Sequence, residues 1–359
     1  MLKRLDEVDW AGLEHAYGPA TDVPDQVRAL RSPDAKTRDD GLWRLFGNIF
    51  HQGSRYEAAS HATPFLVEVL AAEDTVNRVG VLELLTSIAI GYDECWLPQP
   101  LSVDDLRAAG PDEAAAYDSV RAGVPLFRTL LADSDMALRT RAAYALAWFP
   151  EEAPSSLVAL SPLTHTATST GVLEATAWVA IGLLGGVVDQ GALTDDRPLV
   201  RWGAAIGLAG TAGPSADDVV IEELLTWVAG RADNDARVPF FDGDLAGYAG
   251  LALGQVGDRH ADRVFDALLR RIPVVSGPNA LPVMGRALEM AFPSGAGIVG
   301  ARPLDDRQRR LIAALLQSPE TEVRGATLAN FKLLLRDFGL PANRGELTSL
   351  MDQNGFGRQ

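Results

Sequence analysis

The strongest constraint on this chain is a pattern that returns along it. In Asp135-Met136-Ala137-Leu138-Arg139-Thr140-Arg141-Ala142-Ala143-Tyr144-Ala145-Leu146, an acid stands four positions before Arg139, a small residue three beyond it and a large apolar residue seven beyond it. The arrangement recurs around Arg38, Arg78, Arg201 and Arg324. Arginine plus seven is Leu45, Leu85, Leu146, Leu208 or Phe331. Plus three is Gly41, Val81, Ala142, Ala204 or Thr327, and plus four is Leu42, Leu82, Ala143, Ala205 or Leu328. Residues three, four and seven apart share one face of an α-helix, so each copy predicts a helix with a single apolar stripe. The preceding acid is Asp34, Asp74, Asp135 or Glu320, with Asp196 offset by one. It falls where free backbone N–H groups and the helix dipole favour negative charge.

The copies keep a period. Arg38 to Arg78 is 40 residues, Arg78 to Arg139 is 61 and so contains an insertion, and Arg201 to Arg324 is 123. Between Arg139 and Arg201 a degenerate copy fits with Glu174 in the arginine slot, since Ala177, Trp178 and Ile181 follow at plus three, four and seven. Two weaker copies are predicted as helices over Leu245 to Gln255 and Leu281 to Phe292. A unit of about 40 residues is the mark of two-helix repeats.

With acid, three residues, arginine, two residues, small residue, three residues and leucine, residues 30 to 340 resemble the HEAT-repeat family, and in particular its short bacterial, bilin-lyase-like form. The resemblance implies an all-α chain: a right-handed α-solenoid of about eight HEAT-like, armadillo-like repeats with capping helices. Residues 1–359 are then a single array, with 1–30 as N-terminal cap, 91–117 as insertion and 341–359 as C-terminal cap or tail. It also implies that Asp34, Arg38, Asp74, Arg78, Asp135, Arg139, Arg201, Glu320 and Arg324 form a structural ladder between repeats. That ladder is expected to break at Glu174 and near Leu245, where the copies depart from the pattern.

Composition narrows the partners. The net charge of −16 argues against a nucleic-acid partner, because neutralised phosphates supply most of the affinity of such binders. It favours a protein or peptide partner, and a basic one in particular. Lysine occurs only at Lys3, Lys36 and Lys332. Cys95 is the single cysteine, which fits a reducing cytoplasm. The N-terminus has no apolar run of the signal-peptide kind. The longest apolar run, Ala175 to Val188, is interrupted by Gly182, Gly185 and Gly186 and falls short of the ~20 residues a bilayer needs, so no membrane role is expected.

Two segments break the repeat and hold the candidate binding residues. The first, 48–61, carries His51, Arg55, Tyr56, Glu57 and His61; the second, 91–117, carries Tyr92, Asp93 and Trp96 beside Cys95. Inserted polar and aromatic segments at repeat edges are where solenoids place recognition residues. In the competing reading Phe50 and Tyr56 plug an interface and His51 and His61 satisfy helix ends. A third irregular stretch, Gly230 to Gly243, brings Asp233, Asp235, Asp242 and Asp244 together. It lacks the EF-hand order of ligands and is read as a solvated acidic loop. The glycine-rich run 294–300 follows no strand, so it is not a phosphate cradle.

No HExxH, GxSxG, P-loop or paired CxxC occurs. No catalytic residue, metal or cofactor is therefore assigned, and the expected function is a non-enzymatic protein-binding scaffold that uses its concave face, as an immunity-type or regulatory adaptor does. The alternative is similarity to HEAT-like DNA glycosylases, for which Trp148, Trp178, Trp202 and Asp189 supply the residue types without a matching motif. Bilin-attaching lyases offer no diagnostic here, and HEAT-like hydroxylases need His-Glu pairs that this chain lacks.

Overall fold

In the computed structural model the chain is helical nearly throughout. The structure describes residues 2–230, 235, 237–277, 280–293, 303–321 and 329–353. Among these the helices are α1 (Val23–Ala29), α2 (Ala35–Asn48), α3 (Glu57–Ala71), α4 (Arg78–Ile90), α5 (Val103–Ala109), α6 (Pro111–Arg121), α7 (Val124–Leu130), α8 (Met136–Leu146), α9 (Ala153–Leu160), α10 (Val172–Leu183) and α11 (Pro198–Ala212). They continue with α12 (Asp218–Gly230), α13 (Leu245–Ala252), α14 (Ala261–Arg271), α15 (Ala280–Ala291), α16 (Asp306–Gln317), α17 (Ala329–Asp337) and α18 (Arg344–Gln353). The only strands among the described residues are two antiparallel pairs, Glu14–His15 with Gly18–Pro19 and Phe50–His51 with Ser54–Arg55. Contacts divide the chain into two compact units, Met1–Gly207 with Arg237–Phe240, and Leu208–Ala236 with Phe241–Gln359.

In the first unit α1 packs on α2, α3 on α4 and α7 on α8, while α2 touches α4, α4 touches α8 and α8 touches α10. Each predicted arginine helix forms because its stripe has somewhere to go. Leu45, Leu85 and Leu146 are fully buried, as are Leu82, Ala142, Ala143, Ala204 and Ala205. Each buried leucine contributes about 1.5–3 kcal/mol. Helix starts are fixed by acids at two of the expected places: Asp34 accepts the Thr37 N–H at 2.8 Å and Asp135 the Ala137 N–H at 2.8 Å. At α4 the cap is Asn77, which accepts the Gly80 N–H at 2.9 Å, and not Asp74.

Every residue of α10 is buried, the polar Glu174 and Thr176 included, so this helix is covered all round instead of along one stripe. Glycine makes that possible. A Cβ on Gly182 would lie 2.5 Å from the Gly207 Cα, and one on Gly203 would lie 2.5 Å from the Ala175 carbonyl oxygen. The glycines that interrupt the apolar run in the sequence are thus, in Gly182 at least, a helix-packing surface.

Two parts of the sequence reading change here. The 91–117 insertion is not confined to the rim: α6 packs against α3 and α4, with Ala116, Tyr117 and Val120 fully buried. Tyr117 donates to the Glu151 carboxylate at 2.6 Å, and burial and that carboxylate push its hydroxyl far above the usual range. The third irregular stretch is solvated only in part: Asp242 is exposed, but its neighbours are not. Phe240 is fully buried against the rings of Tyr144 at 4.8 Å and Trp148 at 6.0 Å. Asp244, 1% exposed, caps α13 through the Gly247 N–H at 2.9 Å and pairs with the buried Arg271 at 3.0 Å. Asp233 lies outside the described residues.

In the second unit α12 packs on α13 and α14 on α15, α12 and α16 both touch α14, and α13 and α17 both touch α15. The helices predicted near 245 and 281 are α13 and α15. Leu208 is half-buried and Phe331 buried. Arg324, Thr327, Leu328 and the glycine-rich run at 294–300 lie outside the described residues. A feature the sequence reading missed ties α12, α14 and α16 together: Asp218 pairs with Arg259 in the turn that leads into α14, Glu222 with Arg263, Asp262 with Arg307 and Asp266 with Arg310. The separations are 41, 41, 45 and 44 residues, again one repeat. In the closing segment α18 buries Leu347, Leu350 and Met351 and packs on α16.

Candidate functional site

The two inserted segments meet. The chain reverses after α2 through Gln52 and Gly53, both at positive φ (51° and 87°), the backbone of a tight two-residue hairpin. Glycine is needed at 53 for a second reason, since a Cβ there would stand 3.2 Å from the Tyr92 ring. The hairpin thereby lays the first segment on the second. Phe46, Phe50 and Tyr92 follow one another edge to face at 6.2 and 5.7 Å. Tyr17 meets His51 edge to face at 5.5 Å. His15 beneath it accepts the Tyr17 N–H at Nδ1 and holds Asp22 through Nε2 at 2.9 Å. Large aromatic side chains exposed in the first unit are Tyr17 (70%), Trp43 (76%) and Tyr92 (44%). Trp43 and Phe46 lie three apart on α2, so they share a face of that helix.

Arg55 closes the back of the hairpin. Its Nη1 donates to the Gly53 carbonyl at 2.6 Å, while its buried Nε has no hydrogen-bond partner. Burial pulls the guanidinium below the usual arginine range, against the opposing charges of Glu113 and Cys95. Cys95 is exposed, yet desolvation, followed by Glu94, pushes its thiol upward. That disfavours the thiolate a nucleophile needs. Glu57 is exposed in the first turn of α3. Asp112 close by is raised by burial and by the charges of Glu113 and Glu57. Tyr56 is the half-buried residue at the N-cap of α3.

The remaining candidates separate from this edge. Asp93 is buried and accepts from the Tyr144 hydroxyl at 3.2 Å, and Trp96 donates to the Ile90 carbonyl at 2.8 Å. Both hold the second segment in place. His61 faces another cavity of about 780 Å³, whose walls include Lys3, Arg4, Phe65 and Glu68.

The arginine slots share one local geometry. Arg78 and Arg139 donate through Nε at 2.9 Å to the carbonyls of Leu70 and Leu131, eight residues back. Arg38 and Arg201 reach the Ser32 and Asp195 carbonyls at 2.7 Å. Each arginine thus ties down the chain just ahead of its own helix. The longer-range pairs have other partners than the sequence pattern suggests: Arg78 holds Asp133 at 2.6 Å, and Asp74 is held by Arg31. Glu320 accepts the Gly277 N–H at 2.9 Å. In the degenerate copy the slot holds an acid, and donors gather on it. Glu174, fully buried, takes hydrogen bonds from Thr168 and an ion pair from Arg197 at 2.6 Å, and Arg197 also grips Asp195 at 2.7 Å. Burial alone would raise the Glu174 carboxyl, but these donors together hold it below the usual range.

Of the tryptophans named for a base-binding groove, Trp148 and Trp202 are fully buried and so offer no platform. Trp178 and Asp189 do come together, with His165, around a cavity of about 620 Å³ in the first unit. Nothing in the spacing of these three residues pointed to one another.

The fold and these sites define an all-helical protein with an exposed aromatic edge and a small, mainly apolar cavity. No protein-family model matches the sequence, and no curated protein does. Among solved structures, an engineered protein from the Northeast Structural Genomics Consortium is 18% identical over 93% of this chain and 88% of its own, with a TM-score of 0.37. A second engineered protein from the same consortium is 21% identical over 65% of this chain and 98% of its own, with a TM-score of 0.38. Likenesses this distant bear on neither architecture nor activity.

Proposed function

We propose that the chain is a non-enzymatic protein-binding module built of HEAT-like repeats within each unit. The helix pairing, the 40-residue period and the regular charge pairs along α12, α14 and α16 support the repeat reading. In such a stack the second helices supply the recognition face. Near α8 that face is covered by the chain's own Phe240, so docking is assigned to the α2 end. The observation that carries this is the exposure of Trp43, with Tyr17 and Tyr92 also exposed in the same unit, because aromatic side chains dominate the energetics of interfaces. Asp39 and Asp40 stand one helical turn before Trp43 on α2, Asp40 paired with Lys36, and Asp39 with the acidic net charge favours a basic partner segment.

Affinity capture from one lysate, with the wild-type chain and with a Trp43→Ala/Tyr17→Ala variant, tests this reading. A partner retained by the wild type and depleted about tenfold or more with the variant is the expected result. Equal recovery removes the docking surface, and recovery of nothing at physiological salt removes the binding function.

A further inference from the structure

The cavity between α9 and the turn after α10 is shaped for a ligand of definite chemistry. Its volume of about 620 Å³ lies in the range of small-molecule sites. Leu157, Val158 and Val187 supply apolar wall, and Val158 and Val187 are 75% and 92% exposed, so the mouth presents hydrocarbon to water. Trp178 lines the cavity, is 5% exposed, and has an indole N–H without a hydrogen-bond partner. Asp189 is the carboxylate of the lining. One of its oxygens accepts the Gly191 N–H at 2.9 Å, and no lysine or arginine lies in the wall to neutralise it. His165 stands edge-on to Trp178 at 6.5 Å.

We infer that this cavity binds an organic cation with an apolar body, an alkylammonium or alkylguanidinium group whose charge meets Asp189 while its chain packs on Trp178, Val158 and Val187. A carboxylate exposed at the cavity's edge without a lysine or arginine partner, beside hydrocarbon walls, favours such a group over an anion, and the chain's net charge of −16 raises the local concentration of cations. The same chemistry is offered by a free amine and by the lysine side chain of a peptide.

The test is titration of the full chain with n-pentylammonium, with n-pentanol as its neutral counterpart, and with a capped leucine-lysine-leucine peptide. The readout is the Trp178 indole N–H resonance, assigned by its loss in Trp178→Phe. Saturable shifts with pentylammonium or the peptide are expected, with Kd raised about tenfold in Asp189→Asn and affinity for pentanol about tenfold weaker. The tighter of the two cationic probes identifies the source. Asparagine is as good an N-cap as aspartate, so Asp189→Asn keeps the turn, and an unchanged thermal melt checks this. Pentanol binding as tightly as pentylammonium, an unchanged Kd in Asp189→Asn, or no saturable shift with either cation overturns the inference.

Discussion

Replacing Glu174 by glutamine tests whether its buried carboxylate stabilises the first unit. The carboxylate is fully buried and gathers the Thr168 N–H, the Thr168 hydroxyl and Arg197. Glutamine keeps one acceptor oxygen but turns an N–H₂ toward the hydroxyl and removes the charge facing Arg197. Arg197 is not stranded, because Nε and Nη2 still fork onto Asp195 at 2.9 and 2.7 Å. The loss is therefore below the roughly 3–5 kcal/mol of a buried pair broken outright, and about 2 kcal/mol is expected at pH 7. In a unit of this size that corresponds to a fall in Tm of about 4–8 °C.

The pH dependence has a fixed sign. A carboxyl held lower in the folded than in the unfolded chain contributes stability above its unfolded pKa and loses it as pH falls through the folded one. The wild-type advantage over Glu174→Gln should be constant from neutral pH down to about 5 and shrink below it. Thermal melts from pH 7 to pH 3, with hydrogen exchange at the Thr168 amide as local readout, measure both. A variant as stable as wild type at pH 7, or an advantage that grows on acidification, would show that desolvation of Glu174 outweighs its partners.

Two further outcomes follow from packing and surface charge. Gly182→Ala should cost about 1–3 kcal/mol in a thermal or urea melt despite alanine's better helix propensity, because the new Cβ meets Gly207 backbone at 2.5 Å; a stabilised variant would refute the close approach. Arg263→Glu should lower the melting temperature of the second unit only slightly, since its fork onto Glu222 at 2.6 and 2.8 Å is exposed and screened, with Glu222→Arg restoring the melt and 1 M salt erasing the difference.

The all-helical class and the places of the arginine helices were legible in the sequence, because the period of three and four that puts Leu45, Leu85 and Leu146 on one face is a property of the helix itself. So were the caps at Asp34 and Asp135, which act within their own first turn. Other features were not legible, because each depends on residues far apart in the chain. The Glu174–Arg197 pair spans 23 residues and Asp244–Arg271 spans 27, and no local rule marks an acid as buried and paired instead of solvated. The meeting of Gly53 with Tyr92 and of Trp178 with Asp189 likewise follows from how helices pack. Sequence by itself determined which segments are helices and which faces are apolar, since those follow from neighbours a turn away. Tertiary structure alone decided which polar groups are buried and which aromatics stay in water, since burial depends on what the rest of the chain lays over a residue.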